Sequence, residues 1–420
     1  MQGDARRYAA AILKRLQQRH LKNAFCCYGT GEKVLLGVGR AASLELDETD
    51  SLDAIWAGID NFIESNGNDY IFGFIGFDPA NQLNKKIDDY RQKIDLFVPA
   101  TVIECRDSGC RLLKGIFNDV NIDDEKRDNN AIDTVSEWPE LKDITTDNTD
   151  AVAIDKLDRS ELRDRYAASA ACFIDEIRLG ALERATLARK IKVELEFDLA
   201  RTFLCDQSRH QHSRSFYFSN EKISFAGQCP ELLAEGNTGS FATHKLSGTW
   251  SKDDKTPIDE MSSRFLSDPR IIAEHRSAIV AIEKSLNAIG KVESTKFQVM
   301  ELPTLLHGWS EFITRPKDKV SVARCLRSVF PFGVNPVSQG FRLLAEHEEF
   351  CRGPYYGLTG CIEPDGEFSF VQVLRSAFVD DEGSFLMAGA AITSHSTPAL
   401  EAEETRTKLF GVQVFGNTDS

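Results

Sequence analysis

Residues 357–392 read GLTGCIEPDGEFSFVQVLRSAFVDDEGSFLMAGAAI. Three apolar stretches within them, 357–362, 369–379 and 384–392, have the length and composition of successive strands. On the C-terminal side a helix is expected from about Pro398 to Phe410. On the N-terminal side a long helix is expected over 268–286, with Ser267 or Asp268 as its cap and Pro269 in its first turn. Further upstream, helical periodicity over 158–179 is followed by strands at 185–195 and 215–228. Strands mixed with long helices, without regular βαβ alternation, define an α+β chain with antiparallel sheets.

The chain divides into an N-terminal α/β subdomain at 1–118, a polar acidic connection at 119–155, and a more regular region at 156–420 that integrates with the first part. The N-terminal part holds strands at 33–38, 70–77 and 96–103. Gly73 and Gly76 interrupt the run IFGFIGFD, which predicts a bulge or a close backbone approach. Pro99 places its strand at an edge or a bend. The first twenty residues, MQGDARRYAAAILKRLQQRH, form an amphipathic helix with Tyr8, Ile12, Leu13 and Leu16 on one side. Charge runs through that segment, so it does not read as a signal peptide.

The 420 residues carry 50 Lys+Arg against 65 Asp+Glu, a net charge of −15, with 42% hydrophobic and 27% charged residues. These values exclude a disordered or fibrous protein. The acidic balance disfavours a nucleic-acid partner or an anionic membrane surface. No apolar run reaches 18 residues, so a cytoplasmic location is expected. The ten cysteines are scattered without CxxC spacing, which points to buried thiols rather than disulfides or zinc. GTGEKVLLG at Gly29 lacks phosphate-loop spacing and reads as a hairpin turn. RHQHSR, residues 209–214, sets two histidines on one strand face, flanked by arginines that mark an exposed edge.

Four segments concentrate polar residues where the pattern is otherwise apolar: CPELLAEG with Glu231, HKLSGTWS with Gly248 and Thr249, IIAEHRSAIVAIEKSL with Glu274 and His275, and PALEAEETRTKLFGV. On the last, Glu401, Glu404 and Lys408 stand at i, i+3 and i+7 and share a helix face. Carboxylates one turn apart, with another from a separate helix, suit a hard divalent cation. A solvated face with a Glu404–Lys408 pair is the plain alternative.

The ordered series PELLAEG, LSGT, an EH-bearing helix, LLHGWS, RGPYYGLTG, LRSAF, AGAAI and S-x-x-P-x-x-E-x-E-E-T-x-x-K resembles the chorismate-utilising enzymes. That family includes isochorismate synthase, salicylate synthase, and the first components of anthranilate and aminodeoxychorismate synthases. The resemblance covers about residues 179–412, and the IFGFIGFD run resembles a further family segment. It implies an anthranilate synthase component I-like α+β fold: two packed antiparallel β-sheets with outer helices. It also implies a small-molecule substrate, chorismate or a close analogue, held with Mg²⁺ in a cleft. Glu274 and Glu404 match direct metal ligands, and Glu401 a water-mediated one. Arg375 matches a clamp on a substrate carboxylate. Tyr355 and Ala390 match substrate contacts, and Lys408 would stand beside the metal-bound carboxylate. Glu231 matches the acid that protonates the departing C4 hydroxyl, His307 lines the ring pocket, and Gly248 and Thr249 form the loop beside the ring.

Within the family, the segment GALERATLARKIKVE resembles the isochorismate and salicylate synthase type. Ser247 stands where aminodeoxychorismate synthases carry a nucleophilic lysine, which excludes a lysine adduct. Arg184 stands where the family's base lysine is expected, and arginine is a poor general base. Ile271 replaces a metal-shell glutamate, Val337 a lysine after a proline, and Ala391 a glycine. The sequence therefore implies an isochorismate synthase-like isomerase. The alternatives are pyruvate loss to salicylate, amination by ammonia with a separate amidotransferase, or a homologue that binds with little catalysis.

Overall fold

Every ladder among the described residues is antiparallel, and the strand Ile94–Arg106 is the junction of the whole topology. The structure is a computed structural model. It describes residues 5–18, 25–30, 32–46, 51–76, 93–115, 152, 157–204, 213–253, 255–301 and 305–416. One side of the junction strand pairs with Lys33–Ser43. Its other side pairs first with Ile71–Ile75 and then with Gly109–Lys114. Pro99 lies opposite Arg40, where the register with Lys33–Ser43 shifts, so the proline marks a bend and not an edge.

Two arms of sheet run from this junction. One passes through Lys33–Ser43, Phe25–Gly29, Arg214–Ser219, Ile223–Cys229, Ser376–Asp380 and Gly383–Ile392 to Arg184–Val193. The other passes through Ile71–Ile75, Leu358–Ile362, Phe368–Gln372, Leu232–Asn237 and Ser240–Ser251 to Leu305–Pro316. The two packed sheets are thus arms of one continuous ladder. N-terminal strands form the junction end of both arms, and C-terminal strands extend each arm outward.

The inner faces meet in an aromatic core. Phe216, Phe218, Phe225 and Phe378 of one arm pack with Phe72, Phe74 and Val371 of the other. Phe74 meets Phe218 edge-on at 4.8 Å between ring centres, and Phe218 stacks on Phe225 at 5.4 Å. Full burial of each such ring contributes about 1.5–3 kcal/mol. Gly73 lets its strand come close to the junction strand, because a Cβ there would lie 1.8 Å from the Asp95 carbonyl oxygen. Helices cover the outer faces. Ala5–Gln18 buries Ile12, Leu13 and Leu16 against one arm, and Leu52–Ser65 and Val322–Val329 cover the other.

Two segments predicted as single strands are each two. Residues 215–228 form a hairpin that turns at Asn220, whose side chain accepts from the Lys222 and Ile223 amides. Residues 369–379 change arms: Phe368–Gln372 pairs in one and Ser376–Asp380 in the other. The predicted turn at Gly29 is present between Phe25–Gly29 and Lys33–Ser43. The helix at 268–286 is capped by Asp268, which accepts from the amides of Arg270 and Ile271. Cys26, Cys105, Cys110, Cys229, Cys325 and Cys361 are buried, with Cys110 Sγ 2.7 Å from Cys105 Sγ, while Cys172 is exposed. Arg214 does not mark an exposed edge, since its side chain is covered and ion-paired to Glu235 at 2.6 Å. His210 and His212, and the connection at 119–155 except Val152, lie outside the described residues.

Candidate active site

The chain crosses between the arms at two adjacent places, and each crossing sets a charged side chain in the cleft. Ile223–Cys229 belongs to one arm and Leu232–Asn237 to the other, so Pro230 and Glu231 span the gap. Beside them, residues 373–375 carry the chain between Phe368–Gln372 and Ser376–Asp380. The crossings are tied by Gln372 N–H to Glu231 O at 3.1 Å and Gln228 N–H to Arg375 O at 3.4 Å. At the second crossing Arg375 adopts φ +53°, and Tyr356, also on the cleft, adopts φ +68°. Left-handed backbone at a bulky residue costs roughly 1–3 kcal/mol and concentrates at functional sites.

The cleft gathers Arg184, Glu231, Gly248, Thr249, Glu274 and His307, together with Tyr355, Arg375, Glu404 and Lys408. Glu401 lies in an adjoining hollow that shares Glu274 with the cleft. Ala390 is the exception. It is fully buried and does not line the cleft, whereas its neighbours Gly389 and Ala391 do. Gly389 leaves room for the Tyr355 hydroxyl, which a Cβ there would meet at 3.2 Å.

His307 is held in one tautomer. Its Nδ1 lies 3.1 Å from the Gly248 carbonyl, which only accepts, so Nδ1 carries the hydrogen. Nε2 then accepts from Arg375 Nη2 at 3.1 Å. Burial first, then the Arg375 and Lys408 charges, pull its pKa down to about 3, so the ring is neutral. Burial also lowers the pKa of Arg375 itself. Gly248 supplies the required turn at φ +73° and donates its N–H to Glu274 Oε1 at 3.0 Å.

On the closing helix Lys408 Nζ reaches Glu404 Oε1 at 2.8 Å and donates to Gly389 O at 2.9 Å. Burial, which pulls the Lys408 pKa down, is outweighed by Glu404, and the net direction is up. Burial and then Glu404 raise the pKa of Glu274. The same two causes push Glu401 up to about 7, against a hydrogen bond from Ser396. These carboxylates therefore repel one another across a shared space. Among the described residues no three His, Cys, Asp or Glu side chains are gathered closely enough to hold a metal ion unaided. Ile271 is buried with Phe265 and Leu306 beneath Gly248, so an apolar contact fills the place of the expected glutamate. Val337 opens the helix Val337–His347, away from the cleft.

Two polar partnerships were not visible in sequence. Glu231 was expected alone in apolar surroundings, but Lys245 Nζ reaches its Oε1 at 2.6 Å. Ser247 Oγ lies 2.5 Å from His275 Nδ1, and His275 Nε2 lies 2.9 Å from Ser310 Oγ. Lys245 and Ser247 share a face of Ser240–Ser251, a period-two signal that was present in HKLSG. Their partners come from other elements and gave no local signal.

The chorismate binding enzyme family matches this chain over residues 13–413. Anthranilate synthase component 1 of Aeropyrum pernix is 34% identical over 197 residues, 44% of each chain. Salicylate synthase of Mycolicibacterium paratuberculosis is 28% identical over 278 residues, 62% of this chain and 59% of that protein. The chain thus spans roughly half the length of the curated relatives it matches. MenF, the menaquinone-specific isochorismate synthase from Escherichia coli, superposes with a TM-score of 0.69 at 18% identity, over 97% of this chain and 90% of that one. Anthranilate synthase component I from Streptococcus pneumoniae gives 0.64 at 15%, over 90% and 91%. At those identities the structural likeness bears on fold alone. A match running from residue 13 to residue 413 is what decides the family: this chain belongs to the chorismate-binding enzymes.

Proposed function

We propose that this protein converts chorismate in a Mg²⁺-dependent reaction of the isochorismate synthase type: a nucleophile adds at C2 of the ring and the C4 hydroxyl leaves. The observation that carries it is the single cleft in which Arg184, Lys245, Arg375 and Lys408 face Glu231, Glu274 and Glu404. A protein of net charge −15 needs such local cations to hold a dianion. Arg375, fixed by His307, clamps one substrate carboxylate. Tyr355 adds a hydroxyl donor, and Gly248 and Thr249 lie along the ring. Glu231, backed by Lys245, gives the proton to the departing hydroxyl.

The all-oxygen donor set and its mutual repulsion fit a hard cation whose shell substrate oxygens complete. Glu274 and Glu404 would hold Mg²⁺ directly and Glu401 through water. When bound, the ion would neutralise the second substrate carboxylate. Lys408 would shift from Glu404 towards that carboxylate.

Arg184 keeps its proton and serves as a fixed cation, not a base. Water addition therefore needs another base; the alternatives are ammonia as the nucleophile, with a separate amidotransferase as its source, and pyruvate loss as a further step. The test is incubation with chorismate and Mg²⁺, with and without ammonia, followed by product identification. Chorismate should be consumed and a C2-substituted product formed. Chorismate left intact with both nucleophiles overturns the reading.

A further inference from the structure

Ser247, His275 and Ser310 form a hydrogen-bonded chain that opens on the cleft at one end only. Ser247 lines the cleft beside Gly248 and Thr249. His275 is buried behind it on the helix Pro269–Asn287, and Ser310 is fully buried on Leu305–Pro316. The His275 ring is fixed at both nitrogens, with Nδ1 2.5 Å from Ser247 Oγ and Nε2 2.9 Å from Ser310 Oγ. Its plane is fixed as well, stacked on Phe297 at 4.1 Å between centres. A hydroxyl at a cleft, a buried imidazole in contact with it, and a third group orienting that imidazole are the three parts of an activated nucleophile.

Two tautomers satisfy this chain. With hydrogen on Nε2, the ring donates to Ser310 and leaves Nδ1 free to take the Ser247 proton.

We propose that Ser247 and His275 are the base that Arg184 does not supply. The step rests on the chorismate reading above and balances as follows. The nucleophile, water or ammonia, bonds to C2 and passes one proton to Ser247 Oγ. The proton already on Ser247 passes to His275 Nδ1. The ring double bond shifts, the C4–O bond breaks, and the departing hydroxide takes a proton from the Glu231–Lys245 pair. Ser247 touches the nucleophile and is a catalytic residue. His275 acts through Ser247 and is a positioning residue.

The first test needs no substrate. A fluorophosphonate should phosphorylate Ser247 Oγ with loss of fluoride, read as a mass increase mapped to the peptide containing Ser247. Labelling should vanish in Ser247→Ala and slow at least 10-fold in His275→Gln, with circular dichroism unchanged. If His275→Gln does not fold, Ser310→Ala, which removes only the outer bond, should slow labelling in the same direction. Labelling elsewhere, or at rates indifferent to these changes, overturns the dyad. The second test uses turnover: Ser247→Ala should lower kcat by about 10²–10⁴-fold while chorismate affinity stays within a few-fold. Undiminished kcat overturns the proposed role. Labelling at Ser247 in a protein that leaves chorismate intact supports the dyad and overturns only the chorismate reading.

Discussion

A left-handed arginine at the point where a strand changes sheets sets a guanidinium in the cleft. At this crossing Arg375, at φ +53°, reaches His307 Nε2 at 3.1 Å. Arg375→Lys keeps the charge but loses the planar fork and the His307 contact, and should weaken chorismate binding roughly 10–100-fold. Unchanged affinity in a binding titration would show that the clamp lies elsewhere. At the other end, Arg184→Lys should raise water addition, since lysine can give up its proton and arginine cannot. Isochorismate formation that is already fast in the native protein and unaffected by this change would mean that residues 184–193 are misassigned. Glu231→Gln leaves Lys245 beside a neutral amide that has no acidic proton. Turnover should fall by about 10²–10⁴-fold while ligand affinity stays within a few-fold, a split that steady-state kinetics and a binding titration together resolve.

Among the elements, the closing helix Pro398–Phe410 carries the most chemistry and was the most legible. Its period put Glu401, Glu404 and Lys408 on one face, and the structure keeps Lys408 in contact with Glu404. Glu404→Gln removes a charged oxygen donor and should weaken Mg²⁺ binding roughly 10-fold or more, measured by calorimetry with chorismate present. Unaltered Mg²⁺ affinity would leave Glu404 as the partner of Lys408 alone. Helices were readable because period 3.6 and caps such as Asp268 are local. The apolar run of 369–379 hid a change of sheets, because hydrophobicity records burial and not which neighbour buries it. Ala390 was misplaced for a related reason, since a fully apolar strand does not announce which face meets the cleft. Lys245 and Ser247 were visible as residues, but their partnerships depend on contacts 14 and 28 positions away.

At the scale of the whole molecule, the cleft stores electrostatic strain that pH and Mg²⁺ can read out. Glu401 is raised to about 7 and Glu274 is raised as well, so the folded chain binds more protons there than the unfolded chain does. That contribution to stability is fully present below about pH 4.5 and is lost as pH rises through about 7. The buried histidines act in the opposite sense. His275 is lowered to about 4 and His307 to about 3, so their contribution is present above about pH 6.5 and is lost as pH falls through those values. The melting temperature without Mg²⁺ should therefore peak near pH 6 and fall on both sides. A divalent cation among Glu274, Glu401 and Glu404 removes the cause of the alkaline fall but not of the acid one. Millimolar Mg²⁺ should raise the melting temperature by about 2–5 °C at pH 8 and by much less at pH 5, where a proton already neutralises Glu401. Scanning calorimetry at the two pH values distinguishes this from generic ion stabilisation, which would raise both equally and would remove the carboxylate cluster as the Mg²⁺ site.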